Sequence, residues 1–135
     1  MPTRAILVHD LIDARTAAAA AAELAVPLTL ASAPGAAAYL GPGWARALRA
    51  ALAREFPAPK VRIVLDCADQ PGHALAAMRM GAAAVRFTGR ASVARKLKEI
   101  AAAQGAEVIT GRLSGLDLAD QRDPAAACRR WLARP

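Results

Sequence analysis

The sequence predicts a single-domain α/β fold, with a five-stranded, mostly parallel sheet and helices on both of its faces. Short apolar runs alternate along the whole chain with longer alanine-rich or amphipathic stretches. Such alternation is typical of βα units and a parallel sheet. The length of 135 residues suits one domain with its own core, and the hydrophobic content of 56% is well above that of a disordered chain.

The first βα unit begins with the apolar run AILVH at 5–9, which is typical of a strand buried on both faces. Asp10 stands at the N-cap position of the following helix, and Asp13 makes an imperfect capping box with it. The helix extends to about residue 25 and stops before Pro27. The second strand is PLTLASA at 27–33.

The middle of the chain predicts a broken helix and the strongest strand. Pro34 suits a first helical turn, Gly-Pro-Gly at 41–43 interrupts the helix, and WARALRAALAREF at 44–56 restarts it. KVRIVLDC at 60–67 is the third strand. Asp69 is then interpreted as the cap of a helix that ends near Met80, before Gly81.

The last third predicts two further strands and two helices. The strands are AAVRFT at 83–88 and AEVIT at 106–110, separated by a helix at 91–104 with Gly105 as its C-cap. The stretch 111–122 is interpreted as a loop. Asp123 and Pro124 then begin the last helix, at 124–133.

Right-handed crossovers leave few topologies for five βα units. The preferred one is a doubly wound, flavodoxin-like or Rossmann-like three-layer sandwich with strand order 2-1-3-4-5. The alternative is half of a βα barrel that a second copy completes. Periodicity alone does not separate the two.

Composition narrows the classes of partner. The formal charge of +7 favours an anionic partner, although richness in alanine and arginine is also what GC-rich, bacterial-like coding produces. Nucleic-acid binding ranks last, because the basic residues are dispersed and only five aromatic residues are present for stacking. An anionic small molecule and a homodimer are the preferred partners.

Cysteine usage and hydropathy favour a cytoplasmic protein without a membrane span. Cys67 and Cys128 lack the spacing of a metal site, so reduced thiols are expected and no metal is predicted. The apolar stretch 16–40 is long enough to suggest a membrane-spanning helix. Glu23 and two prolines interrupt it, which argues against a span.

Ligands of open α/β sheets bind beyond the carboxyl ends of the strands. That rule turns the strand ends into a set of candidate site residues. The candidate ligand-binding residues are Asp10, Ser32, Gly35, Thr88, Gly89, Arg90, Thr110, Gly111 and Arg112; the candidate catalytic residues are Asp66, His73 and Asp69.

Two neighbouring strands end in the same triplet, Thr-Gly-Arg, at 88–90 and 110–112. A hydroxyl, a glycine and an arginine before a helix N-terminus favour binding of phosphate or carboxylate. At the level of the fold, a Thr-Gly end of a late strand is similar to the phosphate-binding turns of βα-barrel enzymes. The alternative is a turn solution used twice, with the arginines in solvent.

The stretch LDCADQPGHA at 65–74 is the other dense group. Asp66 at a strand end suits a general base, and Asp69 and His73 are four residues apart, which would place them on one face of a helix. The alternative is that Asp69 only caps the helix. Cys67 is either a nucleophile beside His9 or His73, or a small buried apolar residue.

The sequence does not indicate which reaction the protein catalyses, or whether it is an enzyme. It contains no GxGxxG, GxxxxGK[ST], GxSxG or HExxH, so it indicates no particular cofactor. The preferred hypothesis is an anion-binding protein, with a reaction of lyase or isomerase type as one option. The alternatives are a non-catalytic homo-oligomeric interaction module, with Trp131 and Leu132 as anchors, and a nucleic-acid-binding protein.

Overall fold

A computed structural model describes residues 3–134. Its strands are β1 Thr3–Leu7, β2 Leu28–Ala31, β3 Val61–Asp66, β4 Ala84–Arg86, β5 Glu107–Ile109 and β6 Leu113–Asp117. Its α-helices are α1 Leu11–Leu24, α2 Ala37–Leu40, α3 Trp44–Glu55, α4 Pro71–Arg79, α5 Ala91–Gln104 and α6 Pro124–Ala133, and a 3-10 turn lies at Leu118–Asp120.

The strands form one parallel sheet in the order β5-β4-β3-β2-β1-β6. The predicted α/β fold with a parallel sheet and flanking helices is confirmed. The first five strands lie side by side in chain order, which differs from the order 2-1-3-4-5. The sheet curls into a half-barrel, as in the alternative fold, and its completion by a second copy stays a prediction.

The strand order explains where the helices pack. Consecutive strands joined by right-handed crossovers place every helix on the same side of a sheet, whereas a doubly wound sheet reverses direction once. The larger core cluster joins helix residues such as Ala14, Leu48 and Leu97 to strand residues such as Leu30 and Leu65. The helices therefore cover the convex face, rather than both faces as the sequence predicted.

The concave face has a small core of its own, built from strand residues. Ala5, Ala31, Val64, Ala84 and Ile109 are buried there, with Leu7 and Leu113 packed against them. Three of the five buried residues are alanine, so strands can curl tightly around a narrow interior.

The sixth strand corrects the prediction that residues 111–122 form a loop. Leu113–Asp117 pairs with β1 over its whole length, from Thr3 opposite Leu113 to Leu7 opposite Asp117. The sequence LSGLD contains serine, glycine and aspartate, which are turn residues and are depleted in strands. A Cβ at Gly115 would overlap the end of the Leu7 side chain, which would have to turn away.

Helix ends agree with the predicted caps at α1 and α6 and differ at α4. Asp10 accepts a hydrogen bond from Asp13 N–H at 2.8 Å, and Asp123 accepts one from Ala126 N–H at 3.1 Å. The predicted cap of α4 by Asp69 is wrong. Gln70 is the N-cap, and Pro71 fills the first helical position without needing a capping acceptor.

The apolar stretch 16–40 divides among most of α1, strand β2 and the short helix α2. Among residues 3–134, no helix combines the length and the hydropathy that crossing a membrane requires.

Candidate functional site

The two Thr-Gly steps meet at one cavity at the carboxyl end of β4 and β5. Thr88 and Gly89 follow β4, Thr110 follows β5, and all three line the same space beside the start of α5. We call it the α5 cavity; its volume is about 350 Å³. Its lining is completed by Phe87, Ala91, Ala94, Arg95 and Lys98.

The α5 cavity lies at a helix N-terminus that has no side-chain cap. Arg90 is the N-cap residue of α5 and its side chain accepts no hydrogen bond from the first turn. The first backbone bond of the helix runs from Ala94 N–H to Arg90 carbonyl, at 2.9 Å. The N–H groups of residues 91–93 are thus not bonded within the helix and remain available to an acceptor.

Two cations of α5 face the same space, one helical turn apart. Lys98 Nζ lies 3.4 Å from Thr110 Oγ1, which connects the helix to the end of β5. Neither Arg95 nor Lys98 enters an ion pair within residues 3–134. The cavity lining includes no acidic side chain, so its electrostatic potential favours an anion.

The two triplets are not the same turn. A Cβ at Gly89 would overlap the ring of Phe87, which is buried, whereas a Cβ at Gly111 would meet no atom within 4 Å. Glycine at 89 is therefore required by an aromatic ring packed against the backbone, and glycine at 111 has no such constraint. Arg90 and Arg112 do not line the α5 cavity.

A second cavity of about 300 Å³ opens on the concave face, at the carboxyl end of β1 to β4. We call it the mouth cavity. Arg86 and Arg112 supply its cations and Asp66 its carboxylate. The remaining lining residues are Leu7, Ser32, Pro34, Leu113 and Gly115.

Asp66 is the centre of a buried network beneath this cavity. Its Oδ1 accepts hydrogen bonds from Gly35 N–H and Ala68 N–H, both at 2.9 Å. Its Oδ2 accepts one from Arg86 Nη1 at 3.0 Å, and its own N–H donates to Ser32 Oγ at 2.9 Å. Both carboxylate oxygens are thus engaged, which is typical of a side chain that holds backbone in place.

Arg86 joins this network to the second triplet. Its Nε donates to the Gly111 carbonyl at 3.0 Å, while Nη1 holds Asp66. The connection at 110–112 is thereby fixed between the two cavities, with Thr110 in one and Arg112 in the other. Sequence reasoning missed Arg86; the available signal was a charged residue inside the strand run AAVRFT, on the face opposite to Val85 and Phe87.

The remaining candidate residues lie outside both cavities. Asp10 caps α1, and Asp69 bonds only the side chain of its neighbour Gln70, at 3.0 Å. His73 is half-buried in the first turns of α4. Gly35 donates to Asp66 and has a φ of 70°, a left-handed conformation that favours glycine.

A histidine–aspartate pair that the sequence did not predict joins β1 to β6. His9 Nε2 lies 2.7 Å from Asp117 Oδ1. Burial alone would raise the pKa of Asp117, but hydrogen bonds from His9 and from Ala119 N–H outweigh it, and the pKa is lowered. The pair could be found only by recognising β6, because its members are 108 residues apart.

Both cysteines are buried and poorly acidic. Burial, assisted by the negative charge of Asp66, raises the pKa of the Cys67 thiol to about 12. Burial, with a further contribution from Asp13 that Arg129 partly opposes, raises the pKa of Cys128 to about 11. A neutral, inaccessible thiol does not serve as a nucleophile. Of the two interpretations of Cys67, the structure therefore favours the small buried apolar residue.

Trp131 is engaged within the chain. The guanidinium of Arg4 stacks 4.5 Å from the centre of its ring and donates to the carbonyls of Trp131 and Arg134. Trp131 and Leu132 also pack against the larger core. An interface that used these two side chains as anchors would compete with contacts they already make.

Within residues 3–134, no three histidine, cysteine, aspartate or glutamate side chains are grouped closely enough to hold a metal ion. The candidate site is thus a pair of cavities whose ionic chemistry comes from arginine, lysine and one buried aspartate. Neither a family model nor a curated protein matches the chain in sequence.

Proposed function

We propose that this protein binds a small phosphate-bearing molecule in the α5 cavity, at the carboxyl edge of its half-barrel. The observation that carries the proposal is that the ends of two neighbouring strands and two cations of α5 meet at one cavity. Thr88 and Gly89 from one strand end and Thr110 from the next line one space with Arg95 and Lys98.

The groups around the α5 cavity match the chemistry of a phosphate. Free N–H groups and the positive end of the helix dipole favour a negative charge at a helix start. The threonine hydroxyls can donate hydrogen bonds, Arg95 offers a planar fork, and Lys98 offers a mobile point charge. With two cations and no acid in the lining, a doubly charged phosphate is the preferred anion.

The proposal assigns binding and no reaction. Of the residues first considered catalytic, Asp66 has both oxygens engaged, and Asp69 and His73 line neither cavity. A cytoplasmic location and a homo-oligomer belong to the proposal as expectations. The first is supported by two unpaired, buried thiols, which suit a reducing compartment.

The test is a thermal-shift titration with inorganic phosphate and sulfate, with chloride at matched ionic strength. Arg95→Ala/Lys98→Ala removes both cavity cations. Arg79→Ala/Lys96→Ala is the matched control, since it removes the same charge from exposed positions outside the cavity. A ligand at a hundred times its dissociation constant stabilises the folded state by about 2.7 kcal/mol, which raises Tm by several degrees.

We expect the shift in the wild type and in the control variant, and its loss in Arg95→Ala/Lys98→Ala. Equal shifts in all three proteins would mean that phosphate acts through net charge. No shift in the wild type would mean that the cavity takes no phosphate. Either result overturns the proposal.

A further inference from the structure

The mouth cavity contains a guanidinium that no carboxylate in the described part of the chain neutralises. Arg112 enters no ion pair there, although it lines the cavity two residues beyond Thr110. Arg86 is held by Asp66 and by the Gly111 carbonyl through Nη1 and Nε, which leaves Nη2 for another acceptor. Two arginines therefore present donors at the same opening.

The balance of charge distinguishes this cavity from the α5 cavity. Its lining has two arginines and one aspartate, a net charge of one positive unit, whereas the α5 cavity has two cations and no acid. A singly charged carboxylate suits the former, and the fork of Arg112 matches a carboxylate through two parallel hydrogen bonds. Leu7, Pro34 and Leu113 offer an apolar wall for a short carbon chain.

The two cavities share a boundary at the 110–112 connection. Thr110 lines the first and Arg112 the second, and two residues of extended chain span at most about 7 Å. Arg86 fixes the carbonyl of the residue between them, so the separation does not depend on a free loop.

We infer that the ligand is a small phosphorylated carboxylic acid, with its phosphate in the α5 cavity and its carboxylate on Arg112 in the mouth cavity. The phosphate end of this inference rests on the proposed function. The carboxylate end is new, and it makes Arg112 the residue that selects for an acid over the corresponding alcohol.

Isothermal titration calorimetry with three probes tests the inference: 3-phosphoglycerate, glycerol 3-phosphate, which lacks the carboxylate, and glycerate, which lacks the phosphate. A hydrogen-bonded charge pair contributes about 1.5 kcal/mol or more, so 3-phosphoglycerate is expected to bind about tenfold more tightly than glycerol 3-phosphate.

Arg112→Gln should remove that preference and leave the affinity for glycerol 3-phosphate unchanged. Because Arg112 is exposed and unpaired, the variant should fold, which circular dichroism would check. Arg122→Gln removes an equal charge from another exposed position and should keep the preference.

The outcomes separate the two proposals. Equal binding of 3-phosphoglycerate and glycerol 3-phosphate, or a preference that survives Arg112→Gln, overturns the carboxylate subsite and leaves the phosphate site standing. If glycerate is the only probe that binds, and Arg112→Gln abolishes its binding, the result supports the Arg112 subsite and overturns the phosphate site. Absence of binding by all three probes overturns both.

Discussion

Gly89 and Gly111 occupy the same position in the two Thr-Gly-Arg triplets, but only Gly89 is packed against an aromatic ring. Gly89→Ala should lower the free energy of unfolding by about 1–3 kcal/mol, because its new methyl group would force the buried Phe87 ring to move. Gly111→Ala is the matched control and should change stability by no more than about 0.5 kcal/mol. Urea denaturation of both variants gives the comparison, and equal losses would contradict this account of the first triplet.

The thiols of Cys67 and Cys128 should be inert in the folded protein. With pKa values of about 12 and about 11, at most about one thiol in a thousand is ionised at pH 8, and both side chains are buried. We expect no alkylation by iodoacetamide at pH 8 under native conditions and two additions per chain in denaturant, counted by mass spectrometry. Native labelling of Cys67 would show that the end of β3 opens, and would revive its interpretation as a nucleophile.

At the scale of the element, the His9–Asp117 pair should make the attachment of β6 sensitive to pH. The pKa of Asp117 is lowered in the folded state, so its ionised form stabilises the fold above the unfolded pKa, near 4, and this stabilisation is lost as pH falls through the folded value. Because about a third of each side chain is exposed, the effect should be below about 1 kcal/mol.

The measurement is the difference in urea midpoint between the wild type and Asp117→Asn. The wild type should be the more stable at pH 6, and the difference should shrink at pH 3. His9→Ala serves as a control that removes one of the hydrogen bonds lowering the pKa of Asp117 and keeps the one from Ala119 N–H. A difference that is the same at both pH values would contradict the role of Asp117.

Elements with continuous apolar runs or strong caps were predictable, and the half-exposed edge strand was not. β3 and α1 carry their signals locally, in the run VRIVLD and in the Asp10 cap. In β6, only Leu113 and Leu116 are apolar, and they face opposite sides of the sheet. Their spacing of three breaks the alternation expected of a strand, so the segment is identified only by its pairing with β1.

At the scale of the whole molecule, the sequence predicts which residues reach the carboxyl edge but not which of them meet. Thr88 and Thr110 converge because β4 and β5 are neighbours in the sheet, which follows from strand order rather than from local propensity. Arg112 separates from Thr110 because the 110–112 connection passes between two cavities on its way to β6. Strand order depends on long-range packing, and the concave core of small residues that favours the curl has no periodic signature.

Two ion pairs on the concave face should contribute different amounts to the free energy of unfolding. The longer pair should contribute more than the shorter one, because it is more deeply buried. Arg62 to Glu107 is the shorter, at 2.6 Å, but its side chains are 39% and 51% exposed. Arg86 to Asp66 is longer, at 3.0 Å, with exposures of 20% and 3%. Solvent weakens an exposed pair to less than about 1 kcal/mol, whereas losing one partner of a buried pair leaves a charge without compensation.

Arg62→Met should therefore lower the free energy of unfolding by less than about 1 kcal/mol. Arg86→Met should lower it by about 2–4 kcal/mol, less than the loss of an isolated buried pair because two backbone N–H groups still hold Asp66. The double variant Asp66→Asn/Arg86→Met should recover part of the loss, because the uncompensated charge is then gone. Urea denaturation of the four proteins at low ionic strength measures these differences. Equal losses in Arg62→Met and Arg86→Met would mean that the buried network at the mouth does not hold the strand ends and the 110–112 connection together.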